Sequence, residues 1–310
     1  MTTNIYTANK RLSALKILMI AIILMGVGRT HAQSINELAR TENKKAGFKH
    51  EVSGHLKGPF SGLQSKHDQD KSSLKKGLGF GVNYRYYLNS TWSLSTGLEL
   101  QKFKGEVSYN FIEDAYQTTD SEGEEFEFRY AVQDLTEEQS ASYLNIPVKL
   151  QYEGHGKIRF YAAGGVKIGM HIKSEHETSI STLKTSGYYS QYDAELHAPQ
   201  FMGFGEFTNI KSGKKELNGK TNLAIEIETG LKFITANNRA FYVGLFLDYG
   251  LNNIIANNYQ QNLVSYNSED PTAFISESIL TSANKKKGSA YVDKTHTLAY
   301  GLKIQYAFSL

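Results

Sequence analysis

The sequence predicts an all-β fold, an eight-stranded antiparallel transmembrane β-barrel with short periplasmic turns and long extracellular loops. Three observations predict this fold class. Apolar and polar residues alternate in eight segments of about ten residues each, the length that a tilted strand needs to cross a bilayer. The connections between these segments are alternately short and long, and the chain begins with a run of residues typical of an exported protein.

The first 32 residues have the pattern of a secretory signal peptide. Three basic residues precede an apolar run at 17–27, and the small residues Thr30 and Ala32 occupy the outer two positions of the final tripeptide. This run is too short for a transmembrane anchor, which needs about 18 to 20 apolar residues. We therefore expect cleavage after Ala32, a short periplasmic segment over 33–46 and the barrel domain over 47–310.

Residues 77–88 show the strand pattern most clearly. Every second residue, from Leu78 through Phe80 and Val82 to Leu88, is apolar, and glycine or polar residues lie between most of them. Because successive side chains of a strand point to opposite faces, this segment has one apolar and one polar face. A weaker copy lies near 47–58, and six further copies cover residues 92–103, 143–152, 158–172, 222–233, 241–252 and 297–308.

The lengths of the connections distinguish two all-β folds. Tight connections alternate with long ones, the tight ones at 89–91, 153–156 and 235–238 and the long ones at 59–76, 105–142, 173–221 and 253–296. Outer-membrane barrels have short periplasmic turns and long outer loops in this order. The alternative, a soluble sandwich or a lipocalin-like barrel, would turn its apolar face inward and would not explain the alternation of loop lengths.

The polar face of a lipid-embedded barrel encloses its lumen, and charged residues recur on this face. The inward set comprises Lys49, Glu51, Arg85, Glu99, Lys149, Arg159, Lys167, Glu226, Glu228, Lys232, Asp248 and Lys303. The interior of an eight-stranded barrel is only wide enough for side chains, so opposite charges should pair. We therefore predict a lumen charge network and a plugged lumen rather than a pore.

Aromatic residues near the short turns predict a membrane-interface girdle on the periplasmic side. Rings of this kind lie at the level of the lipid headgroups, where one end of the ring is apolar and the other is wet. The predicted girdle comprises Trp92, Tyr86, Tyr152, Phe241, Tyr242 and Tyr306.

The composition excludes several other classes of protein. The chain has no cysteine, which excludes a disulfide scaffold, a cysteine-ligated metal site and a lipid-anchored lipoprotein. Its net charge is +3, but the first 32 residues carry four basic residues and no acid, so 3 − 4 leaves about −1 for the remainder. We therefore expect no nucleic-acid partner, and outer-membrane lipid is the expected surrounding.

Six segments carry a resemblance to a known family. They are 81–88 (GVNYRYYL), 94–100 (LSTGLEL), 143–152 (YLNIPVKLQY), 161–169 (YAAGGVKIG), 248–254 (DYGLNNI) and 301–308 (GLKIQYAF). Over about residues 47–308 the chain resembles the PorT-like outer-membrane β-barrel family, the Bacteroidetes-type outer membrane protein beta-barrel domain. The resemblance implies an eight-stranded outer-membrane barrel, and one branch of the family is implicated in protein secretion or gliding. The chain departs from the family pattern at its end, where Ser309 and Leu310 follow Phe308.

The sequence contains no obvious catalytic or cofactor site. It has neither a helical His-x-x-x-His pair nor a nucleophile beside a recognisable base. His171 and His176, with Glu175 and Glu177 nearby, are the best candidates for a metal site at an outer rim, and solvated loop histidines are the simpler interpretation. We expect no enzyme activity, no metal and no cofactor.

The segment 105–138 is strongly acidic, with eleven acids against Arg129, or 11 − 1 for a net charge of about −10. One interpretation is an interaction loop that attracts a divalent cation or a basic partner. The other is a solvated segment that continues two strands above the membrane, because aromatic and charged residues alternate in it. The candidate interaction residues are Glu122, Glu124, Glu125 and Glu127.

Two functions remain open from the sequence. The first is a role in envelope structure or in interaction with another envelope protein, such as an accessory of secretion or gliding machinery by family analogy. The alternative is a barrel that transports a small solute or a hydrophobic compound. Lysines of other outer loops either contact anionic lipopolysaccharide or keep those loops soluble; they are Lys211, Lys214, Lys215, Lys285, Lys286 and Lys287.

Overall fold

The computed structural model describes residues 49–65, 71–235, 238–256 and 261–310. Eight long strands form the main sheet: β1 (His50–Ser65), β2 (Gly79–Tyr87), β3 (Trp92–Thr119), β4 (Glu125–Glu153), β5 (Ile158–Tyr189), β6 (Asn222–Thr235), β7 (Arg239–Gly250) and β8 (Thr295–Ser309). Each strand pairs antiparallel with the next, and β8 pairs with β1. This closed ring confirms the predicted eight-stranded barrel.

The predicted signal peptide, its cleavage site after Ala32 and the segment 33–46 lie outside the described residues. The structure therefore leaves these predictions as they stand. The described residues contain no helix that is long and apolar enough to cross a membrane.

Three of the strands are much longer than the sequence predicts. β3 and β4 continue through the expected long loop 105–142 and are joined by a turn at Asp120–Glu124. β5 continues to Tyr189 and covers the first part of the expected loop 173–221. The acidic segment therefore continues two paired strands beyond the apolar part of the barrel, as the second interpretation predicts, and its role in interaction stays a prediction.

Short elements complete the outer end of the structure. The strand Lys71–Leu74 pairs with β3, and Ala194–Leu196 and Gly205–Glu216 pair with β5. Two small hairpins lie between β7 and β8: Val264–Ser265 pairs with Ile275–Ser276, and Ala283–Asn284 pairs with Ser289–Ala290. A short 3-10 turn spans Gln200–Met202.

The apolar face of the barrel points outward. Alternating residues of every barrel strand, such as Leu56, Phe80, Leu98 and Ile304, are exposed, and the residues between them are buried in the lumen. Soluble monomers rarely expose a continuous apolar surface of this extent. The outward apolar belt therefore identifies the lipid-facing surface, and the soluble alternative is excluded.

The apolar core of the protein lies above this belt. Inward residues of the extended strands β3, β4 and β5 pack against the segment between β7 and β8. Phe126 is central: its ring stacks on Tyr189 at 5.1 Å and contacts the edges of Phe204 and Tyr266. The lumen between the lipid-facing walls is polar, so the two halves of the barrel interior differ in chemistry.

Gly244 of β7 is a close-contact position that tests the packing of the lumen. A Cβ at Gly244 would lie 2.4 Å from both the Thr229 carbonyl oxygen and the Tyr161 hydroxyl. We expect Gly244→Ala to reduce the free energy of unfolding by about 1–3 kcal/mol, because the inserted methyl forces the wall apart. The measurement is urea unfolding of the refolded protein, followed by heat-dependent electrophoretic mobility.

Gly54→Ala is the matched control for this prediction. Gly54 faces outward, and the nearest atom to a Cβ there lies 4.0 Å away, so this variant should unfold like the unchanged protein. Equal stability of both variants would contradict the packing of the lumen described above.

Candidate functional site

Eight charged side chains form a cluster inside the lumen, which we call the central cluster. They project from β1, β3, β4, β5, β6, β7 and β8, because the polar positions of the strand repeat all point inward. All eight are buried, and four lysines face four acids: Lys57, Lys149, Lys167, Lys303, Glu99, Glu226, Glu228 and Asp248. The formal charge of this cluster is therefore zero.

Lys57 joins three of the four acids. Its ammonium lies 2.7 Å from Glu99 and donates hydrogen bonds of 3.0 Å to both Glu226 and Asp248. Lys167 makes a second link between the same strands, with bonds of 2.9 Å to Glu99 and 2.8 Å to Asp248. These two ammonium groups bridge β1, β3, β5, β6 and β7 across the barrel.

Glu228 is the acceptor on the other side of the cluster. Lys149 and Lys303 donate to the same Glu228 oxygen at 2.9 Å and 2.6 Å. Two further side chains extend the network. His55 lies 3.0 Å from Glu99, and its Nδ1 accepts a 3.0 Å bond from the Asn83 side-chain amide. Pairing and hydrogen bonding offset the large desolvation cost of these buried charges.

A second group of charges, the periplasmic cluster, lies nearer the short turns. Arg85 contacts Glu51 and Tyr242, and its other nitrogen donates to Gln151 at 2.8 Å. Lys232 lies 3.0 Å from Glu51 and 3.0 Å from Glu153. This cluster is also neutral, with two bases facing two acids.

The structure brings together ten of the twelve charges that the sequence places in the lumen. Seven of them lie in the central cluster, and Glu51, Arg85 and Lys232 lie in the periplasmic cluster. Arg159 lies at the edge, with its guanidinium 3.6 Å from Glu153 and part of its side chain exposed. Lys49 is exposed and does not belong to the network, so its inward assignment was wrong.

Sequence reasoning missed three members of the network. Lys57 and His55 lie in the weakest of the strand repeats, where every second residue from Glu51 to Lys57 is nevertheless polar. His55 is buried in the lumen and is not a solvated loop residue. Glu153 was assigned to a turn, but it is the last residue of β4 and its side chain points inward.

The aromatic residues at the short turns lie on the outside of the barrel. Trp92, Tyr86, Tyr152 and Tyr306 are each exposed, and Trp92 contacts Tyr152 edge-on at 5.4 Å. Tyr242 was wrongly included among them, because its hydroxyl is buried in the periplasmic cluster and donates to Glu51.

The outer mouth is closed by the segment 261–294, which we call the outer cap. Five of its apolar side chains are almost completely buried against the extended strands: Leu263, Val264, Ile279, Leu280 and Val292. The Tyr266 backbone N–H donates a 2.7 Å bond to the Tyr116 hydroxyl, and burial raises the pKa of Tyr116 to about 12. The cap is therefore an integral part of the outer core.

Glu137 of β4 holds the centre of the cap. Its carboxylate accepts a 2.7 Å bond from the Ser278 hydroxyl and a 2.9 Å bond from the Ile279 backbone N–H. The His176 imidazole lies 3.6 Å from the same carboxylate. Burial alone would raise the pKa of Glu137, but the interactions with His176, Ile279 and Ser278 outweigh burial and lower this pKa below its ordinary value.

Asp114 of β3 holds the far end of the cap in the same way. Its carboxylate accepts bonds of 3.0 Å and 2.8 Å from the backbone N–H groups of Lys285 and Lys286. The Tyr130 hydroxyl donates to it at 3.2 Å. Two buried acids of the acidic segment thus bind backbone amides of the cap.

The acidic segment is therefore not one continuous acidic patch. Besides Asp114 and Glu137, several of its acids pair with bases, as in Glu106 with Lys75 and Glu127 with Arg129. At the hairpin tip Glu122 and Glu125 are exposed, and Glu124 accepts a 3.0 Å bond from Tyr192. The candidate interaction residues thus lie at the outer tip of the β3–β4 hairpin.

The proposed outer-rim grouping of histidines and acids is not a site. His176 is buried inside the barrel, whereas Glu175 and Glu177 alternate to the outer face of β5. Glu175 pairs instead with Lys173 at 2.7 Å. Among the described residues, no three His, Asp or Glu side chains are arranged to hold a metal ion.

The ring of strands is closed, its apolar belt faces outward, and charged side chains fill its lumen. Together these features define an integral β-barrel membrane protein. The family described as "Outer membrane protein beta-barrel domain" matches residues 40–256, and the chain belongs to this family. Membership of the family implies a location in the bacterial outer membrane. No curated protein matches the chain significantly.

Several solved barrels are similar to this chain over most of its length. Neisserial surface protein A is 9% identical with a TM-score of 0.34, and the match covers 84% of this chain and 97% of that one. OprG from Pseudomonas aeruginosa is 12% identical with a TM-score of 0.33, over 84% and 96%. Ail of Yersinia pestis is 10% identical with a TM-score of 0.30, over 85% and 100%.

Lys57 is the residue whose removal should most damage the lumen. Lys57→Met removes the ammonium group that contacts Glu99, Glu226 and Asp248. Breaking a buried ion pair by removing one partner lowers the free energy of unfolding by about 3–5 kcal/mol. We expect urea unfolding in detergent to show a loss of this order. Lys49→Met removes an exposed lysine of the same strand region and should change stability by less than about 0.5 kcal/mol. Similar losses in both variants would refute the central cluster.

The outer cap should loosen in acid. Because the pKa of Glu137 in the folded protein lies below the ordinary 4.5, its contribution to cap stability is present above pH 4.5 and is lost as the pH falls further. The chain has no cysteine, so a spin label on Ile275→Cys, an exposed cap position, is unique. We expect the label to become more mobile below about pH 4.5.

Glu137→Gln separates this effect from general acid unfolding. In that background the label should be more mobile already at pH 7 and should respond less to acid, because the charged acceptor is gone. An identical pH response with and without Glu137→Gln would rule out Glu137 as the titrating group.

Proposed function

We propose that this protein is a non-conducting outer-membrane barrel that serves as a binding platform for another envelope protein. The observation that carries this proposal is the double closure of the interior. The two charge clusters fill the lumen between the lipid-facing walls, and the outer cap fills the mouth above them. An interior filled in this way supports a structural role better than permeation.

The extended strands supply the surface for such a partner. β3, β4 and β5 continue well beyond the apolar belt, and the paired strand Gly205–Glu216 widens this sheet. A sheet held by a buried aromatic core is rigid, and rigid surfaces lose little entropy on binding. The exposed acids at the hairpin tip favour a partner with a basic surface.

Several finer points belong to the same proposal. The first 32 residues act as a signal peptide cleaved after Ala32, which supports export to the outer membrane. The motif YLNIPVKLQY at 143–152 supports a place in the PorT-like branch. The partner would then be a component of secretion or gliding machinery, and the chain would have no catalytic activity of its own.

Transport of a hydrophobic compound is the competing function, and one observation favours it. An apolar depression of about 590 Å³ lies on the lipid-facing wall around Gly54, between Phe80, Val82 and Tyr306. Its floor includes His55 and Glu99 of the central cluster. A compound entering there would meet buried charges rather than an open path, so we favour the platform.

Partner binding should depend on the acidic hairpin tip. We expect the tagged protein, purified in mild detergent from the outer membrane, to bring down a stoichiometric envelope protein identified by mass spectrometry. Replacing Glu122, Glu124 and Glu125 by Gln should reduce recovery of that partner about tenfold, because three favourable charges are lost. Replacing Glu269 by Gln and Asp293 by Asn, exposed acids of the outer cap, is the control and should leave recovery unchanged.

Two results would speak against the platform. Recovery of the barrel alone, under conditions where known outer-membrane assemblies stay intact, would contradict binding of a protein partner. Equal recovery with the tip variant and the control variant would remove the acidic tip from the proposal.

A further inference from the structure

The outward surface of β3, β4 and β5 changes character abruptly where these strands leave the apolar belt. Leu100, Leu144 and Met170 are register partners across the three strands and form the last apolar row. The next outward row consists of Lys102, Ser142 and Lys173, again register partners. The lipid-facing wall is therefore followed at once by two lysines that flank a serine.

Two further rows continue the pattern away from the membrane. Lys104, Ser140 and Glu175 form the row above the two lysines. Glu106, Glu138 and Glu177 form the row above that one, with three acids side by side. With increasing distance from the membrane, the outward residues of β3, β4 and β5 are thus first apolar, then mainly basic and finally acidic.

An open cavity of about 460 Å³ lies over these rows. Lys102 and Lys104 form part of its lining, and Lys75, Lys76 and Lys214 reach it from neighbouring segments. Its other polar groups include Ser140, His176 and the acids of the upper rows. Five lysines therefore converge on one depression beside the lipid-facing surface.

The five lysines of this cavity outnumber the three acids that line it, Glu138, Glu175 and Glu177. Lys75 pairs with Glu106 at 2.7 Å, and Lys173 on its border pairs with Glu175 at 2.7 Å. Within the described part of the chain, Lys76, Lys102 and Lys104 form no ion pair with an acid. These lysines are available to an external anion.

The other side of the barrel differs. Where β1, β7 and β8 leave the apolar belt, the outward residues are the aromatics Phe60, Tyr249 and Tyr300, and Phe60 stacks on Tyr300 at 5.1 Å. Aromatic rings are the common interfacial residues of membrane barrels. The outward lysines of β3 and β5 are thus a local feature rather than a ring around the barrel.

We propose that this cavity binds the phosphate-bearing headgroup of one lipid of the outer leaflet. The lipid's acyl chains lie along the apolar row, and its phosphate lies over Ser140 between Lys102 and Lys104. Lysines bind phosphate as point charges, and hydroxyls of serine add hydrogen bonds. The acidic row repels the phosphate from above and so holds it at the level of the headgroups.

The test is native mass spectrometry of the full chain in non-ionic detergent with two matched lipids. One lipid is phosphorylated lipid A, and the other is the same lipid A after phosphatase treatment. We expect the protein to retain one phosphorylated molecule about tenfold more tightly than the dephosphorylated one. Equal retention of the two lipids by the unchanged protein would overturn the proposal, and this comparison needs no variant.

Variants then locate the site. Lys102→Gln with Lys104→Gln should abolish the preference for the phosphorylated lipid, whereas Lys102→Arg with Lys104→Arg should keep most of it. Lys286→Gln with Lys287→Gln, in the exposed end of the outer cap, removes the same charge elsewhere and should keep the full preference. Heat-dependent electrophoretic mobility shows that each variant is folded. Equal loss in both Gln variants would overturn the assignment to this cavity.

Inorganic phosphate distinguishes a lipid headgroup from a free anion. If the acyl chains contribute as proposed, millimolar inorganic phosphate leaves the lipid bound. Full displacement of the lipid by inorganic phosphate at that concentration would show a site for small anions and would contradict the lipid.

Discussion

Charge neutralisation inside a narrow barrel is the constraint on which the rest of the structure depends. An eight-stranded wall leaves room for side chains but little for water, so every inward charge needs a partner of opposite sign. The central cluster meets this need with four lysines and four acids drawn from seven of the eight strands. A shift of one residue in any strand would move its charge into the lipid and leave a partner unpaired. The network therefore specifies the register of the barrel even if it adds little net stability.

Buried charges at the outer end of the barrel also have close polar partners. Asp114 and Glu137 are buried acids whose partners are mainly backbone N–H groups and hydroxyls rather than lysines. Carboxylates that accept several such bonds remain charged when buried. They connect the extended strands to the outer cap, and the cap completes an apolar core that the strands alone would leave open. The interior is thus closed twice along the barrel axis, by the charge clusters in the lumen and by the apolar core that the outer cap completes.

The membrane-spanning part was predictable because one rule governs it. Alternation with a period of two identified all eight strands, the outward apolar face and most of the lumen charges. Above the belt the rule fails in β4, because its inward face changes from odd to even positions where Asp134 adopts a left-handed backbone with φ of 50°. The inward face of β3 changes in the same way between Val107 and Ile112, which turns Asp114 inward toward amides about 170 residues later in the chain. The composition therefore predicts only an acidic segment. In the structure, two of its acids, Asp114 and Glu137, bind the outer cap, and a small exposed group lies at the hairpin tip.

Ion conductance in planar lipid bilayers tests the central claim, a sealed interior, most directly. The refolded protein, with its insertion verified by heat-dependent mobility of the recovered material, is compared with an open porin treated in the same way. The charge clusters and the outer cap predict no steady conductance steps at neutral pH. Steady, voltage-independent steps from the inserted protein would show a continuous water path through the lumen and would contradict the account.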